Sequence, residues 1–345
     1  STLIIGDYRI GRSGIVRTTD NEEKGKVCTF DTSKKYPFSV ETGFEPGALR
    51  DYVVSRYSPL LALLVVLGGV SAFATHRMAM NSRNMSAEVR RAIKNHEFVP
   101  YYQPIVRADT QEWVGAEVLT RWEHPLEGVI PPNSFIPFME RSGLIIPMTA
   151  ALIARTAKDF APLQDQLPEG FHLSINISAV YLADPELLKM CKQFLEQFKN
   201  NKIRLVLELT EREAIIPSPE LLQQIRDLRQ AGVLIALDDF GVGHSNLNYL
   251  KEFQADLLKI DRSFITGIGS NDFSRHVLQS IIDLSQQLQL RIIAEGIETQ
   301  QQADYLQERG VQYLQGYYFS TPQPIDIFRS HMDQQPPATE PKHSS

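Results

Sequence analysis

Residues 98–332 predict an α/β fold, a modified TIM (β/α)8 barrel with one antiparallel strand. Three observations lead there. Short apolar strands alternate many times with amphipathic helical stretches. The strand segments number eight, in a stretch of about 235 residues that is close to the usual size of that fold. Polar residues of one kind, carboxylates above all, stand where the strands end. The alternative is a doubly wound open sheet, and no GxGxxG follows any strand to support its dinucleotide-binding form.

In order, the strands are Phe98–Val106, Trp113–Thr120, Phe171–Ile177, Ile203–Thr210, Val233–Asp239, Asp256–Asp261, Leu290–Glu295 and Val311–Gly316. Helices are expected near Asn133–Gly143, Met148–Phe160, Pro185–Phe198, Pro219–Ala231, Asn246–Glu252, Phe273–Gln289, Gln300–Arg309 and Ile325–His331. Only Arg107–Glu112 separates the first two strands, too little for a crossover helix, so these two form a hairpin. Glu117 lies well inside the second strand, which we read as the one of reversed direction.

Ahead of the barrel, no charged residue stands between Tyr57 and Thr75, a run just long enough to cross about 30 Å of hydrocarbon. Arg77, Arg83, Arg90, Arg91 and Lys94 follow it closely, against Arg50 and Arg56 before it, which puts the C-terminal side in the cytoplasm. The expected organisation is a short extracytoplasmic segment over residues 1–56 and a single transmembrane helix over 57–75. A juxtamembrane helix over 76–97, the barrel over 98–332 and a disordered tail over 333–345 follow. Residues 1–56 are too few for a core of their own and carry short strands such as Thr2–Ile5 and Lys26–Phe30. They read as the tail of a sensor whose larger part is absent.

Composition narrows the chemistry. The 345 residues carry a net charge of −6, which offers no basic field for duplex nucleic acid. The cysteines are two, Cys28 and Cys191. They exclude a disulfide-dense scaffold and the common zinc sites built on cysteine, alone or with histidine, so a metal here is held mainly by oxygen. Cys191, in an apolar run, reads as core filler.

Oxygen ligands are what the strand ends supply. Asn176, Glu208, Asp238, Asp239, Lys259, Asp261, Glu295 and Gln315 fall at C-terminal strand ends, and in a barrel those ends converge on one face. Carboxylates meeting there repel one another and resist ionisation. Divalent Mg2+, Mn2+ or Ca2+ relieves that repulsion. Asp238 and Asp239 are neighbours, so both reach one centre only if the chain leaves the strand there, with Gly241 and Gly243 supplying freedom. Two metals bridged by a carboxylate about 3.5–4 Å apart suit the activation of water for in-line displacement at phosphorus. Lys259, after Leu257 and Leu258, points inward as a cation that positions water or as an ion-pair partner. Arg121 offers a fork for phosphate.

These residues resemble the EAL-domain phosphodiesterases, which hydrolyse the bacterial second messenger cyclic di-GMP. The likeness runs from Phe98 to about Ile327. It is carried in order by YYQPIV (Tyr101–Val106), EVLTRW (Glu117–Trp122), Ser174–Ser178, LELTE (Leu207–Glu211), DDFGVG (Asp238–Gly243), KID (Lys259–Asp261), AEGIE (Glu295, Glu298) and QGY (Gln315–Tyr317). The resemblance implies metal-dependent opening of cyclic di-GMP to linear pGpG. Two Mg2+ or Mn2+ ions would be held by Glu117, Asn176, Glu208, Asp238, Asp239 and Glu295, with Ca2+ inhibitory. It implies that Lys259 orients the attacking water beside Glu117 and Asp238. Gln103, Glu117, Val118, Leu119, Arg121 and Gln315 would contact substrate or its water, and Glu211, Glu298 and Asp261 would support the centre. It further implies a homodimer through the barrel domain, and the apolar run Tyr57–Thr75 adds a tether to the bacterial inner membrane.

The name-giving triplet reads Glu117, Val118, Leu119 here, with Val118 in place of alanine on a side chain that faces away from the metal. Val242 and His244 depart from the usual loop sequence after the aspartates. Residues 76–97 do not hold a nucleotide cyclase. A second resemblance is to enterobacterial EAL proteins with a disulfide-tuned periplasmic domain, in which Cys28 would be the downstream partner. The alternative functions are a receptor that binds cyclic di-GMP without turnover and an unrelated metal-dependent lyase or aldolase.

Overall fold

The computed structural model describes residues 2–5, 8–11, 14–17, 27–36, 38–44, 48–199, 202–210, 218–240, 252–268 and 272–334. Two compact units divide the chain, Ser1–Asn84 and Met85–Ser345. In the first, β1 (Thr2–Ile5), β2 (Tyr8–Gly11), β3 (Gly14–Arg17), β4 (Val27–Thr32) and β5 (Phe38–Phe44) form one antiparallel sheet in the order β3-β2-β1-β5-β4. The short strands expected there are thus parts of a five-stranded sheet, in which Cys28 pairs in register with Gly43.

Helix α1 runs without a break from Ala48 to Lys94, through the expected boundaries at positions 57 and 76. Its stretch Arg50–Phe73 has a mean hydropathy of 1.8 and is long and apolar enough to cross a membrane. At the other end Val89 and Ala92 are fully buried against Phe98, Trp122, Phe135 and Met139.

The second unit is built on β6 (Phe98–Arg107), β7 (Trp113–His124), β8 (Gly128–Ile130), β9 (Phe171–Ile177), β10 (Ile203–Thr210), β11 (Leu234–Phe240), β12 (Leu257–Ile260), β13 (Arg291–Ala294) and β14 (Tyr313–Leu314). Pairing of β6 with both β14 and β7 closes eight of them into a barrel, to which β8 adds as a flap on β7. Every expected strand is present. The reversed one is β6, not the strand carrying Glu117: β7 runs parallel to β9, and β6 is antiparallel to both of its neighbours. A tight hairpin requires only that its two strands oppose each other, so the remaining pairings decide which of them is reversed. Glu117 stands mid-strand because β7 continues past the barrel to pair with β8.

Helices at Ile136–Ser142, Ile145–Phe160, Glu186–Leu195, Pro219–Gln230, Asp272–Gln287, Gln300–Glu308 and Ile325–Met332 match expected ones. The short helices Ala179–Leu182 and Arg262–Ile265 come in addition to these. The helix expected at Asn246–Glu252 lies almost wholly outside the described residues, as does most of the expected tail. Cys191 is fully buried and free, as core filler should be.

Side chains alternate across each strand, and this alternation sorts the barrel interior into layers. Ile105, Val206, Ala236, Leu257 and Ile293 form an apolar cluster of their own, separate from the larger core that joins strands to helices. One alternation towards the C-terminal ends of the parallel strands come Glu208, Asp238, Lys259 and Glu295, with Gln103 on the reversed strand. One alternation the other way come Arg204, Leu234 and Arg291, with Arg107 on the reversed strand. The barrel is therefore acidic at one end, apolar in the middle and basic at the other.

Candidate functional site

The acidic layer converges on the ammonium of Lys259. Its Nζ lies 2.6 Å from Glu208 Oε2, 2.6 Å from Glu295 Oε1, 3.4 Å from Glu117 Oε2 and 3.4 Å from Asp238 Oδ1. Lys259 is only 1% exposed and Glu208 fully buried, while Asp238 and Glu295 keep 13% and 22% of their side-chain surface open. Burial alone would lower the lysine pKa, but the four carboxylates outweigh it and hold the group well above its ordinary value. For Glu208 burial and the neighbouring carboxylates together push the pKa well up against the pull of Lys259. Glu295 rises to about 8, first through burial, with Asp238 and Glu117 adding to it. Glu117 goes the other way. Burial raises it, but Lys259 and the amides of Gln315 and Asn176 more than offset that.

Those amides fix the Glu117 carboxylate in place. Asn176 Nδ2 donates to Oε1 at 2.9 Å and Gln315 Nε2 to Oε2 at 2.8 Å. Gln315 also donates to Gln103 Oε1 at 3.2 Å, and Gln103 Nε2 to the Ser320 carbonyl at 3.1 Å. Residues from four segments of the barrel thereby join one hydrogen-bonded set.

The paired aspartates behave as their adjacency requires. The β11–β12 register shifts between Leu237 and Phe240, and Asp239 takes a left-handed φ of +57°. Its backbone N–H donates to Asp238 Oδ1 at 2.9 Å. The chain leaves regular strand geometry there, at a bulge. Gly241, Val242, Gly243 and His244, together with Glu211, lie outside the described residues.

A cavity of about 250 Å3 opens beside the cluster, lined by Gln103, Glu117, Leu119, Glu295, Gln315 and Tyr317 among others. Leu119 reaches it. Val118, expected at the substrate, is 2% exposed in the core between barrel and helices, because neighbours on a strand face opposite ways. Arg121 is half-buried, donating to the Thr120 carbonyl at 2.9 Å with its guanidinium 5.7 Å from the Tyr101 ring centre. Glu298 stands at the cavity rim, where Arg262 pairs with it at 2.8 Å, rather than among the carboxylates. Asp261 caps the helix Arg262–Ile265, accepting from Ser263 N at 2.9 Å.

Sequence reasoning missed Arg262, Gly296, Gly316 and Tyr317 as lining residues. The glycines carried a usable signal. A Cβ on Gly316 would stand 2.2 Å from the backbone N and O of Ile297, and one on Gly296, at φ +70°, 2.5 Å from Arg262 Cβ. Each glycine is where two backbones, or a backbone and a side-chain stem, close over the site.

Four carboxyl groups crowd one ammonium, which is why Glu208 and Glu295 hold their protons so readily, and Glu208 Oε1 has no hydrogen-bond partner. Carboxylate and amide oxygens are the donors that hard divalent cations take, so the residues fit such an ion. Among the described residues no group of three or more His, Cys, Asp or Glu side chains is set in a metal-holding arrangement, and the point that four carboxyl groups share is taken by the ammonium of Lys259.

The model of the EAL domain matches residues 86–322. The chain belongs to the EAL-domain family. This EAL chain is 37% identical over 322 residues to the probable cyclic di-GMP phosphodiesterase PdeG of Escherichia coli K12, covering 93% of itself and 63% of that protein. It is 44% identical over 239 residues to the cyclic di-GMP phosphodiesterase PdeL of the same organism, covering 69% of itself and 66% of PdeL. It thus spans less than two thirds of the length of either relative. Among solved structures, the EAL enzyme Bd1971 in its cAMP- and cyclic-di-GMP-bound form aligns with a TM-score of 0.69 at 29% identity, over 86% of this chain and 81% of that one. The PaMucR phosphodiesterase in complex with c-di-GMP aligns with a TM-score of 0.65 at 32% identity, over 71% of this chain and 99% of that one.

Proposed function

We propose that this EAL domain hydrolyses cyclic di-GMP to linear pGpG with the aid of divalent cations. The observation that carries the reading is the meeting of Glu117, Glu208, Asp238 and Glu295 around Lys259 inside the stretch that matches the family. Its relatives' names give the substrate.

Glu117, Asn176, Glu208, Asp238, Asp239 and Glu295 would hold Mg2+ or Mn2+, two ions in all. When bound, such ions supply an activated water and neutralise charge on the phosphoryl oxygens. The protein's own groups do the rest. Asn176 and Gln315 hold both oxygens of Glu117 in one orientation, so the carboxylate is preorganised before substrate arrives. Lys259, a permanent cation at working pH, orients the attacking water and offsets negative charge developing at phosphorus. Leu119 and the exposed ring of Tyr317 give a guanine base apolar surface at the cavity mouth. Arg262, at the rim, faces the phosphodiester charge.

The apolar stretch of α1 supports a tether to the bacterial inner membrane, with the positive-inside rule placing the barrel in the cytoplasm. Pairing of two EAL domains is part of the same proposal.

The test is chromatography of products after the purified full chain meets cyclic di-GMP with Mg2+ or Mn2+. Linear dinucleotide that appears with cation and is absent with EDTA supports the reading. Tight nucleotide binding without any product overturns it in favour of a receptor, and indifference to the nucleotide overturns both.

A further inference from the structure

The barrel's other end carries a second concave site that hydrolysis does not use. A cavity of about 390 Å3 opens between the N-terminal ends of the parallel strands, with Arg107, Arg204, Arg291, His172 and Tyr313 on its walls and Glu169 at its rim. The wall residues come from five strands, so the barrel itself holds them in place. In register, Arg204 lies opposite His172 and Arg107 opposite Tyr313.

Three features mark it as built for an anion. None of the three guanidiniums forms an ion pair or side-chain hydrogen bond among the described residues. Three permanent positive charges on one small opening repel one another unless something negative sits between them. The one carboxylate among the lining residues, Glu169, has a side chain 87% exposed and turns towards Lys202, 4.0 Å away. Finally, His172 is 6% exposed and its Nδ1 is buried without any partner, although the Tyr313 ring packs edge-on against the imidazole at 5.5 Å. A buried polar nitrogen without a partner is rare in a folded core, and here it belongs to a residue that lines the cationic recess. Burial first, and then the charges of Arg291, Arg204 and Arg107, hold the His172 pKa down at about 4.

We propose that this recess is a second binding site, for a soluble phosphate-bearing anion of two or more negative charges, such as a diphosphate or a nucleoside polyphosphate. Planar guanidinium forks match phosphate oxygens two at a time. The cavity exceeds a single phosphate, and Val114 and Leu234 in its lining accept the apolar part of a larger ligand. The Ile105, Val206, Ala236, Leu257 and Ile293 cluster separates it from the acidic end, so the two sites do not share a ligand.

The experiment uses the full chain in detergent with EDTA, so that chelation of divalent cations does not imitate binding. Inorganic pyrophosphate, ATP and adenosine are titrated by calorimetry. Pyrophosphate is expected to bind with a dissociation constant below about 1 mM at low ionic strength, weakening as salt rises. ATP binding with adenosine silent places the phosphate on a nucleotide, while pyrophosphate alone binding restricts it to small inorganic anions. Arg204→Gln and Arg291→Gln should each weaken pyrophosphate at least about tenfold, the loss of one charge-assisted contact. Their melting temperature and turnover of cyclic di-GMP should stay near wild type. Glu169→Gln, a change at an exposed rim, should tighten binding. No heat up to about 10 mM pyrophosphate, equal affinity in the arginine variants, or displacement by cyclic di-GMP overturns the proposal. Because no arm relies on hydrolysis, its failure and that of the phosphodiesterase reading are read separately.

Discussion

Replacing Lys259 by alanine tests both the charge balance and the chemistry of the acidic layer. The ammonium is within 2.6 Å of two carboxyl groups and 3.4 Å of two more, and is 1% exposed, so neutral water in its place does not restore the positive charge. Removing one partner of a buried ion pair costs about 3–5 kcal/mol. At about 2–4 °C per kcal/mol for a domain of this size, Lys259→Ala should melt some 6–20 °C below wild type in EDTA. Mn2+ supplies the missing positive charge, so it should raise the variant's melting temperature by more than it raises wild type's. Turnover should not return with it. Loss of one preorganised electrostatic donor lowers kcat by roughly 10²–10³-fold, and KM should change little because the group acts in the transition state. Calorimetric melting with and without Mn2+, alongside product chromatography, reads both effects. A wild-type kcat refutes the catalytic role, and so does a kcat fully restored by excess Mn2+, which would leave Lys259 as a counter-ion only.

Glu117→Gln and Asp238→Asn should each abolish hydrolysis while the barrel stays folded, and Ca2+ in place of Mg2+ should inhibit, as seen by product chromatography. Gly316→Ala forces a methyl to 2.2 Å from the Ile297 backbone, so it should lower stability by about 3 kcal/mol or more in urea and raise KM by displacing Gln315. His172 is neutral in the fold, with its pKa at about 4 against 6.5 unfolded. The unfolded chain therefore binds the extra proton, and stability present above pH 6.5 is lost as pH falls towards 4. Between pH 7.5 and 5 this amounts to about 2 kcal/mol, which His172→Gln should remove from the wild-type drop in urea denaturation. A reporter fused after Ser345 should be active only in the cytoplasm, and periplasmic activity reverses the topology drawn from the charges around Tyr57–Thr75.

The barrel was legible because its parallel strands are buried on both faces and read as apolar runs, each closed by a polar residue. The site was legible for the same reason: Asn176, Glu208, Asp238, Lys259, Glu295 and Gln315 follow apolar residues at the end that converges. The adjacency of Asp238 and Asp239 even announced the bulge that separates them. Direction within the hairpin was not legible, since β6 and β7 oppose each other whichever one is reversed. Arg262 and Tyr317 escaped because each lies at the edge of a motif, where the chain has already left the strand and side-chain direction no longer follows from alternation. Arg107, Arg204 and Arg291 stand singly at strand starts or ends, far apart in sequence, and only closure of the barrel brings them to one opening.

The apolar middle layer also makes the barrel an electrically polar object. Arg204 and Glu208 are four residues apart on one strand, about 13 Å. Across that span two unit charges interact by about 1 kcal/mol at an effective dielectric constant near 20. Each guanidinium would thus weaken the hold on a cation bound at the far end by a modest amount, and an anion that neutralised the arginines would give that amount back. By thermodynamic reciprocity, a cation held among the carboxylates strengthens anion capture at the opposite mouth by the same factor. Val206, Ala236 and Leu257 touch neither ligand, yet their exclusion of water sets how far this coupling carries through the β-barrel.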